Sequence, residues 1–316
     1  MNAGVTMLQK AQTFLAARHQ AGYIGKVDGQ RLIAFARFTD ESGYRGPLTV
    51  AVASRWAKAS QHGRQRTAAH RLAMVRRFAR YCLKFDPATQ IPPPELFGPE
   101  GGRRLTPHIY TDQEIDALLG AASALPPAGG LVGIGCATIF GLIAATGLRT
   151  SEATALQRPE VDLEQGLLYI RHGKGSKSRW VPLHPTTTAA LKHYAQRRDR
   201  DPRSAATEAF FVFERGRAAS TRNVEHYFRQ LRQQLKWRAR GAHPAPRICD
   251  LRHRFITYQL TRWHEEGINV DQRMLALATY VGHAHVSFTH WYVTATPELM
   301  AIAARRFQPL ISRGAI

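Results

Sequence analysis

Between Ala117 and Leu148 the chain carries no charged side chain. A stretch this apolar must leave water, either in a bilayer or in a protein core. Its densest part, residues 131–148, is 18 residues long, at the lower end of what spans a membrane. Four glycines, two threonines and a cysteine dilute it, Pro126-Pro127 splits the wider stretch, and Arg149 follows at once. These features predict a buried core helix and no membrane association.

A second feature divides the chain. Residues 85–107 hold six prolines and three glycines with no hydrophobic period, the composition of a connector. The expected organisation is a helical domain over residues 1–88, a linker over 89–108 and a second domain over 109–316. In the first domain, helical patterns cover residues 8–18, 30–39, 48–59 and 64–84. In the last of these, Leu72, Val75, Phe78 and Cys82 recur at the spacing of one buried face. The second domain opens with Thr111-Asp112-Gln113-Glu114, a capping box ahead of Ile115, Leu118 and Leu119. Residues 167–171 and 178–183 read as two strands joined by a tight turn over 172–177, and the aromatic run 210–213 as a further short strand. Helical patterns cover 187–197, 221–237, 251–263, 270–280 and 297–307. The fold class is therefore mainly α with a small β-sheet: a helical N-terminal domain followed by a mixed α+β domain.

Charge selects the partner. Lys and Arg number 44 against 23 Asp and Glu, a formal net charge of +21 over 316 residues. Such an excess predicts a polyanion, and arginine's planar fork suits phosphate. Arg66, His70, Arg77, Arg80 and Lys84 form a basic stripe with no acidic residue between positions 61 and 84. We expect this stripe to lie along a DNA backbone. The three cysteines, Cys82, Cys136 and Cys249, lack CxxC spacing. That count, and an N-terminus without signal-peptide order, fit a reducing cytoplasm.

The chemistry is concentrated near the C-terminus. Tyr292 follows His283 by nine residues, in the stretch from Gly282 through His283, His285, Phe288, His290 and Trp291. A phenol is a weak nucleophile unless cations surround its target. Candidate cations stand at Arg149 in Ala145-Thr146-Gly147-Leu148-Arg149-Thr150-Ser151-Glu152, at Lys174 in Gly173-Lys174-Gly175, and at Arg252 in Cys249-Asp250-Leu251-Arg252-His253-Arg254-Phe255. Glu152 is placed to orient the Arg149 guanidinium. No carboxylate or cysteine is expected to neighbour His253, His285 and His290. They read as structural or DNA-facing, with no metal site.

Taken in order, these strings resemble the tyrosine recombinases of the phage integrase family. The resemblance covers residues 111–307 and extends more loosely to the N-terminal half, which is similar to that family's core-binding domain. It implies a site-specific recombinase acting on double-stranded DNA with inverted-repeat sites, in the integration or transposition of a mobile element. Such an enzyme works as a homotetramer on DNA, sometimes with related recombinases. It implies that Tyr292 is the nucleophile, forming a 3′-phosphotyrosyl link, that Arg149 and Arg252 hold the phosphate, and that Lys174 protonates the leaving 5′-oxygen. His283 then hydrogen-bonds the phosphate or positions the tyrosine, Lys177 contacts DNA, and no cofactor is needed. The implied setting is the cytoplasm, on the nucleoid. One position departs from the pattern: Cys249 stands where the family usually has a histidine linked to proton transfer. It reads as a weak hydrogen-bonding substitute, as a thiolate favoured by nearby arginines, or as the mark of a slower or inactive enzyme. Type IB topoisomerase chemistry and a DNA-binding accessory protein of faded activity remain alternative readings.

Overall fold

The computed structural model describes residues 5–22, 26–59, 65–98, 105–171 and 178–295. The chain forms two compact units, Met1–Arg104 and Leu105–Ile316.

The first unit contains helices α1 (Met7–Gln20), α2 (Lys26–Glu41), α3 (Val50–Lys58) and α4 (Gln65–Cys82). Thr6 starts α1 with a capping box: its hydroxyl accepts from the Gln9 amide, and Gln9 accepts from the Thr6 amide. Two more orphan amides of that helix end, on Met7 and Leu8, donate to the Asp40 carboxylate of α2. Phe14, Leu32, Phe35, Trp56, Leu72, Val75 and Phe78 form the core.

On α4 the apolar spacing buries its face as expected, and His70, Arg77 and Arg80 are exposed, as is Lys84 just past its end. The side chain of Arg66 lies outside the described residues. The stripe is less uniform in sign than its sequence suggests, because Arg77 pairs with Asp28 of α2 at 3.6 Å. Arg76 turns inward instead. It is buried, and its Nε and Nη2 donate to the carbonyls of Pro92 and Pro93 at 2.8 and 2.7 Å. Prolines have no amide with which to join a ladder, and here the guanidinium supplies donors to their carbonyls. The start of the proline-rich connector is thereby fastened to the first unit. Gln90 reinforces this, its amide donating to the Leu48 carbonyl.

The second unit begins with α5 (Asp112–Ser123), capped by Thr111 and Glu114 as expected. Then follow α6 (Leu131–Thr146) and α7 (Thr150–Ala155), a small antiparallel sheet, and α8 (Pro185–Asp199). The last four helices are α9 (Thr221–Gln234), α10 (Cys249–Glu265), α11 (Val270–Val281) and α12 (Ser287–Ala295). Helix α6 is the centre of the unit: Cys136, Ile139, Phe140 and Ile143 are fully buried, and α5, α8 and α10 pack around it. Its missing charges are explained by this burial. Among the described residues no helix is long and apolar enough to cross a membrane.

The sheet has strand order β1 (Val161–Asp162), β2 (Leu167–Ile170) and β3 (Arg179–Pro182). Leu168 pairs with Val181 and turns inward, and Ile170 pairs with Arg179, which the site will use. The expected strand over 210–213 does not join the sheet. Its residues are buried, but only isolated bridges flank it, Gln157 with Ala209 and Val212 with Ala218. The Tyr194 hydroxyl takes a partner strand's place: it accepts from the Val212 amide at 2.7 Å and donates to the Val212 carbonyl at 3.0 Å. A side chain thus satisfies buried backbone that sequence pattern assigned to a ladder. The turn over 172–177 and the helical pattern over 297–307 lie outside the described residues.

Candidate active site

The site is built where α6 stops. Gly147 ends that helix at φ +65, and a Cβ there would sit 2.6 Å from Cδ1 of Phe255. Only glycine takes both the left-handed backbone and this approach at little strain. The turn sets Arg149 at the N-terminus of α7. Its amide donates to Oε2 of Glu152 at 3.0 Å, and its Nη1 donates to Oε1 at 2.6 Å. The expected orienting role of Glu152 for this guanidinium is met locally, by a residue one helical turn on. The remaining Nη2 donates to the Gly282 carbonyl at 2.7 Å. That bond brings the first motif against the last.

Glu152 has a second cation that sequence reasoning missed. Arg179 of β3 donates to both Glu152 oxygens, at 3.2 and 2.8 Å, and its Nε donates to the Tyr280 carbonyl at 2.8 Å. Burial alone would raise the Glu152 carboxyl. The hydrogen bonds and charge of Arg179, followed by those of Arg149, outweigh burial and hold it below its ordinary value. Gly282, at φ +70, closes α11 beside this group, and a Cβ on it would lie 2.6 Å from Nη1 of Arg179. The signal was present in sequence as a glycine directly ahead of His283. Nothing there indicated which side chain needed the space.

Arg252 comes from the first turn and a half of α10. It is 7% exposed, and its Nη1 donates to the Gly147 carbonyl at 2.7 Å. Its Nη2 is buried and has no hydrogen-bond partner among the described residues. Burial, then the neighbouring charge of Arg149, pushes this guanidinium down to about 10, while Tyr292 and Glu152 act in the opposite sense. It is still a cation at neutral pH. An orphaned guanidinium nitrogen in a buried setting is costly unless an acceptor arrives.

Tyr292 lies on α12 and is 4% exposed. Its ring runs nearly parallel to that of His283, 13° apart in plane with centroids at 6.3 Å. Nδ1 of His283 pairs with the hydroxyl of buried Thr289 at 2.7 Å. The Tyr292 hydroxyl itself meets Nδ1 of His253 at 2.6 Å. His253, read from sequence as structural or DNA-facing, is therefore a direct partner of the candidate nucleophile. Its distance in sequence, 39 residues, concealed this.

Of the candidate residues, the fold gathers Arg149, Arg252, His283 and Tyr292 around the junction of α6, α7, α10 and α12. Lys174 and Lys177 lie outside the described residues. Cys249 opens α10, and its surroundings do not favour a thiolate. Desolvation raises the thiol above its ordinary value, Arg247 pulls it down and Asp250 pushes it up, with a net rise. The expected help from arginines is weak because Arg247 is committed to Asp250, its amide donating at 2.8 Å and its Nη2 at 2.6 Å.

The same region corrects a further expectation. His253 does have a cysteine and a carboxylate nearby: Cys249 Sγ, an Asp250 oxygen and a His253 nitrogen lie within 4.8 Å of one another. A metal there would have to displace Arg247 from Asp250. The donor set is poor for one while that pair stands.

The sequence profile of the phage integrase family matches residues 109–298. The chain belongs to that family. It is 35% identical to y4rB of Sinorhizobium fredii, designated an integrase/recombinase, across 96% of this chain and 97% of that one. It is 30% identical to the tyrosine recombinase XerC of Chlamydia trachomatis, across 75% of this chain and 70% of that one. Among solved structures, the Tn1549 transposon integrase in complex with transposon right-end DNA has the same fold. Its TM-score is 0.66 at 15% identity, over 96% of this chain and 99% of that one. This phage integrase family member is a site-specific recombinase of the tyrosine type.

Proposed function

We propose that Tyr292 attacks a DNA phosphodiester held by Arg149 and Arg252, giving a 3′-phosphotyrosyl intermediate and a free 5′-hydroxyl. The observation that carries this reading is the buried Nη2 of Arg252, which has no partner among the described residues and shares its surroundings with Arg149 and Tyr292. Two guanidiniums present fixed donors to oxygens that gain charge in the transition state. Lys174 protonates the leaving 5′-oxygen, and His283, held by Thr289, hydrogen-bonds the phosphate or positions the tyrosine. Cation donors supply the electrostatics, so the reaction needs no cofactor.

The first unit is a core-binding domain. Its exposed Arg80, Lys84 and His70, with Arg66 and Arg77, run along the DNA backbone, and Lys177 adds a contact from the catalytic domain. Exchange between two duplexes breaks four strands. With one nucleophile per chain, four copies assemble on paired inverted-repeat sites. One solved structure of the same fold is a transposon integrase, and we read this chain likewise as acting in the integration or transposition of a mobile element, on the nucleoid in the cytoplasm.

The test uses a nicked suicide duplex carrying the sequence that this protein selects from a random duplex pool. The wild-type chain is expected to form a covalent adduct at the 3′-phosphate, and Tyr292→Phe none. No adduct from the wild-type chain sinks the reading in favour of an accessory DNA-binding protein. Relaxation of supercoils without exchange between two marked sites favours topoisomerase chemistry instead.

A further inference from the structure

The geometry assigns His253 as the catalytic residue that takes the proton from Tyr292 during strand cleavage and returns it during religation. This inference rests on the proposed role of Tyr292 as nucleophile.

The first ground is the contact itself. Nδ1 of His253 lies 2.6 Å from the Tyr292 hydroxyl, within reach of direct proton transfer. A neutral imidazole protonated at Nε2 presents a lone pair at Nδ1, so the phenol donates to it. The second ground is placement. Cys249 and His253 stand four residues apart on α10, hence on one face of the helix, one turn from each other. The place usually held by a histidine in the family is a cysteine here, and its thiol is pushed up rather than down. A thiol that keeps its own proton offers no base for the phenol proton, and its sulfur is only a weak acceptor. A histidine one turn along reaches the tyrosine oxygen instead.

The third ground is the engagement of the other candidate, His283. Its Nδ1 pairs with Thr289. The ring of His253 packs with the segment that carries the candidate nucleophile, 5.4 Å from the Tyr292 ring and 6.4 Å from Trp291.

The step balances as follows. The Tyr292 hydroxyl proton moves to Nδ1 of His253 as the phenolate oxygen bonds to phosphorus. The bond from phosphorus to the 5′-oxygen breaks, and that oxygen takes a proton from Lys174. His253 is then an imidazolium beside a phosphotyrosine. In religation the 5′-hydroxyl gives its proton back to Lys174 and attacks phosphorus, and the departing tyrosine oxygen recovers its proton from His253. No oxidant, metal or water is consumed.

The experiment compares His253→Gln and His253→Ala with the wild-type chain on the same suicide duplex, in single turnover with DNA saturating. Glutamine preserves an acceptor for the phenol but takes up no proton, so it separates base catalysis from positioning. Both variants are expected to cleave about 10²- to 10⁴-fold more slowly, the usual contribution of a general base. Free imidazole added to His253→Ala is expected to restore a substantial part of the rate, and to leave His253→Gln unchanged. Duplex binding by each variant, measured by gel shift, reports whether it folds. If His253→Ala fails to bind, the glutamine variant alone decides. Near wild-type cleavage by a DNA-binding His253→Gln overturns the inference, as does a slow, DNA-binding His253→Ala that imidazole does not rescue. No adduct from the wild-type chain overturns the proposed function and this inference together.

Discussion

Replacing Arg179 with methionine tests the arrangement that sequence reasoning missed. The substitution keeps a long apolar stem and removes three donated hydrogen bonds, two to Glu152 and one to the Tyr280 carbonyl. The side chains of Arg179 and Glu152 are only 8% and 5% exposed, so water does little to replace what is lost. Breaking a buried ion pair from one side typically costs about 3 to 5 kcal/mol. Arg149 stays 2.6 Å from the same carboxylate, which places the expected loss near the lower figure, about 3 kcal/mol. In urea denaturation this moves the midpoint down by about 1 to 3 M at an m-value of about 1 to 3 kcal/mol/M. The partner change, Glu152→Gln, removes the stranded charge. The double variant is therefore expected to be more stable than the sum of the single losses by about 1 to 3 kcal/mol. An Arg179→Met loss below about 1 kcal/mol, in the range of a surface pair, or strict additivity with Glu152→Gln, refutes the claim that these groups act as a buried unit. Acid gives an independent check. The folded state holds the Glu152 carboxyl below its ordinary value, so its stabilisation is present above the unfolded value of about 4.3 and is lost as pH falls below it. The wild-type chain should lose stability more steeply than Glu152→Gln in that acid range.

Four further outcomes are expected. Arg252→Lys keeps a charge but not the fork, and should slow single-turnover cleavage by about 10²- to 10³-fold with duplex binding retained. Cys249→His should change the cleavage rate by less than about tenfold, since His253 already occupies the tyrosine oxygen; a gain of about 10² or more would place the proton acceptor at position 249. Joint replacement of Arg80 and Lys84 by glutamine should lower the slope of log binding constant against log salt by about 2, without changing the preferred sequence. Arg76→Met leaves the Pro92 and Pro93 carbonyls without their donor, and should destabilise the first unit by about 1 to 3 kcal/mol, read as faster proteolysis within residues 86–98.

What was legible in the sequence was what depends on short spacing or on periodicity. The uncharged run announced α6, the capping box placed the start of α5, and Glu152 three residues after Arg149 fixed that guanidinium's orientation. The candidates Arg149, Arg252, His283 and Tyr292 could be picked out from motifs because each lies in its own recognisable string. Arg179 was not, because a basic residue in a strand is unremarkable until the fold sets Glu152 and Tyr280 on either side of it. His253 was read past for the same reason: its partner lies in another helix. The strand expected at 210–213 shows the opposite error. The residues have strand composition and are buried, but a tyrosine hydroxyl meets the Val212 backbone that a neighbouring strand would otherwise serve.

The bond from Arg149 to the Gly282 carbonyl has a consequence for timing. Nη2 of Arg149 is committed to that carbonyl in the DNA-free chain, and Gly282 stands ten residues ahead of Tyr292. On the proposed mechanism, the arriving phosphate competes with the Gly282 carbonyl for one nitrogen of Arg149. Winning it loosens the start of the segment that carries His283 and α12, while the Tyr292 hydroxyl stays tied to His253.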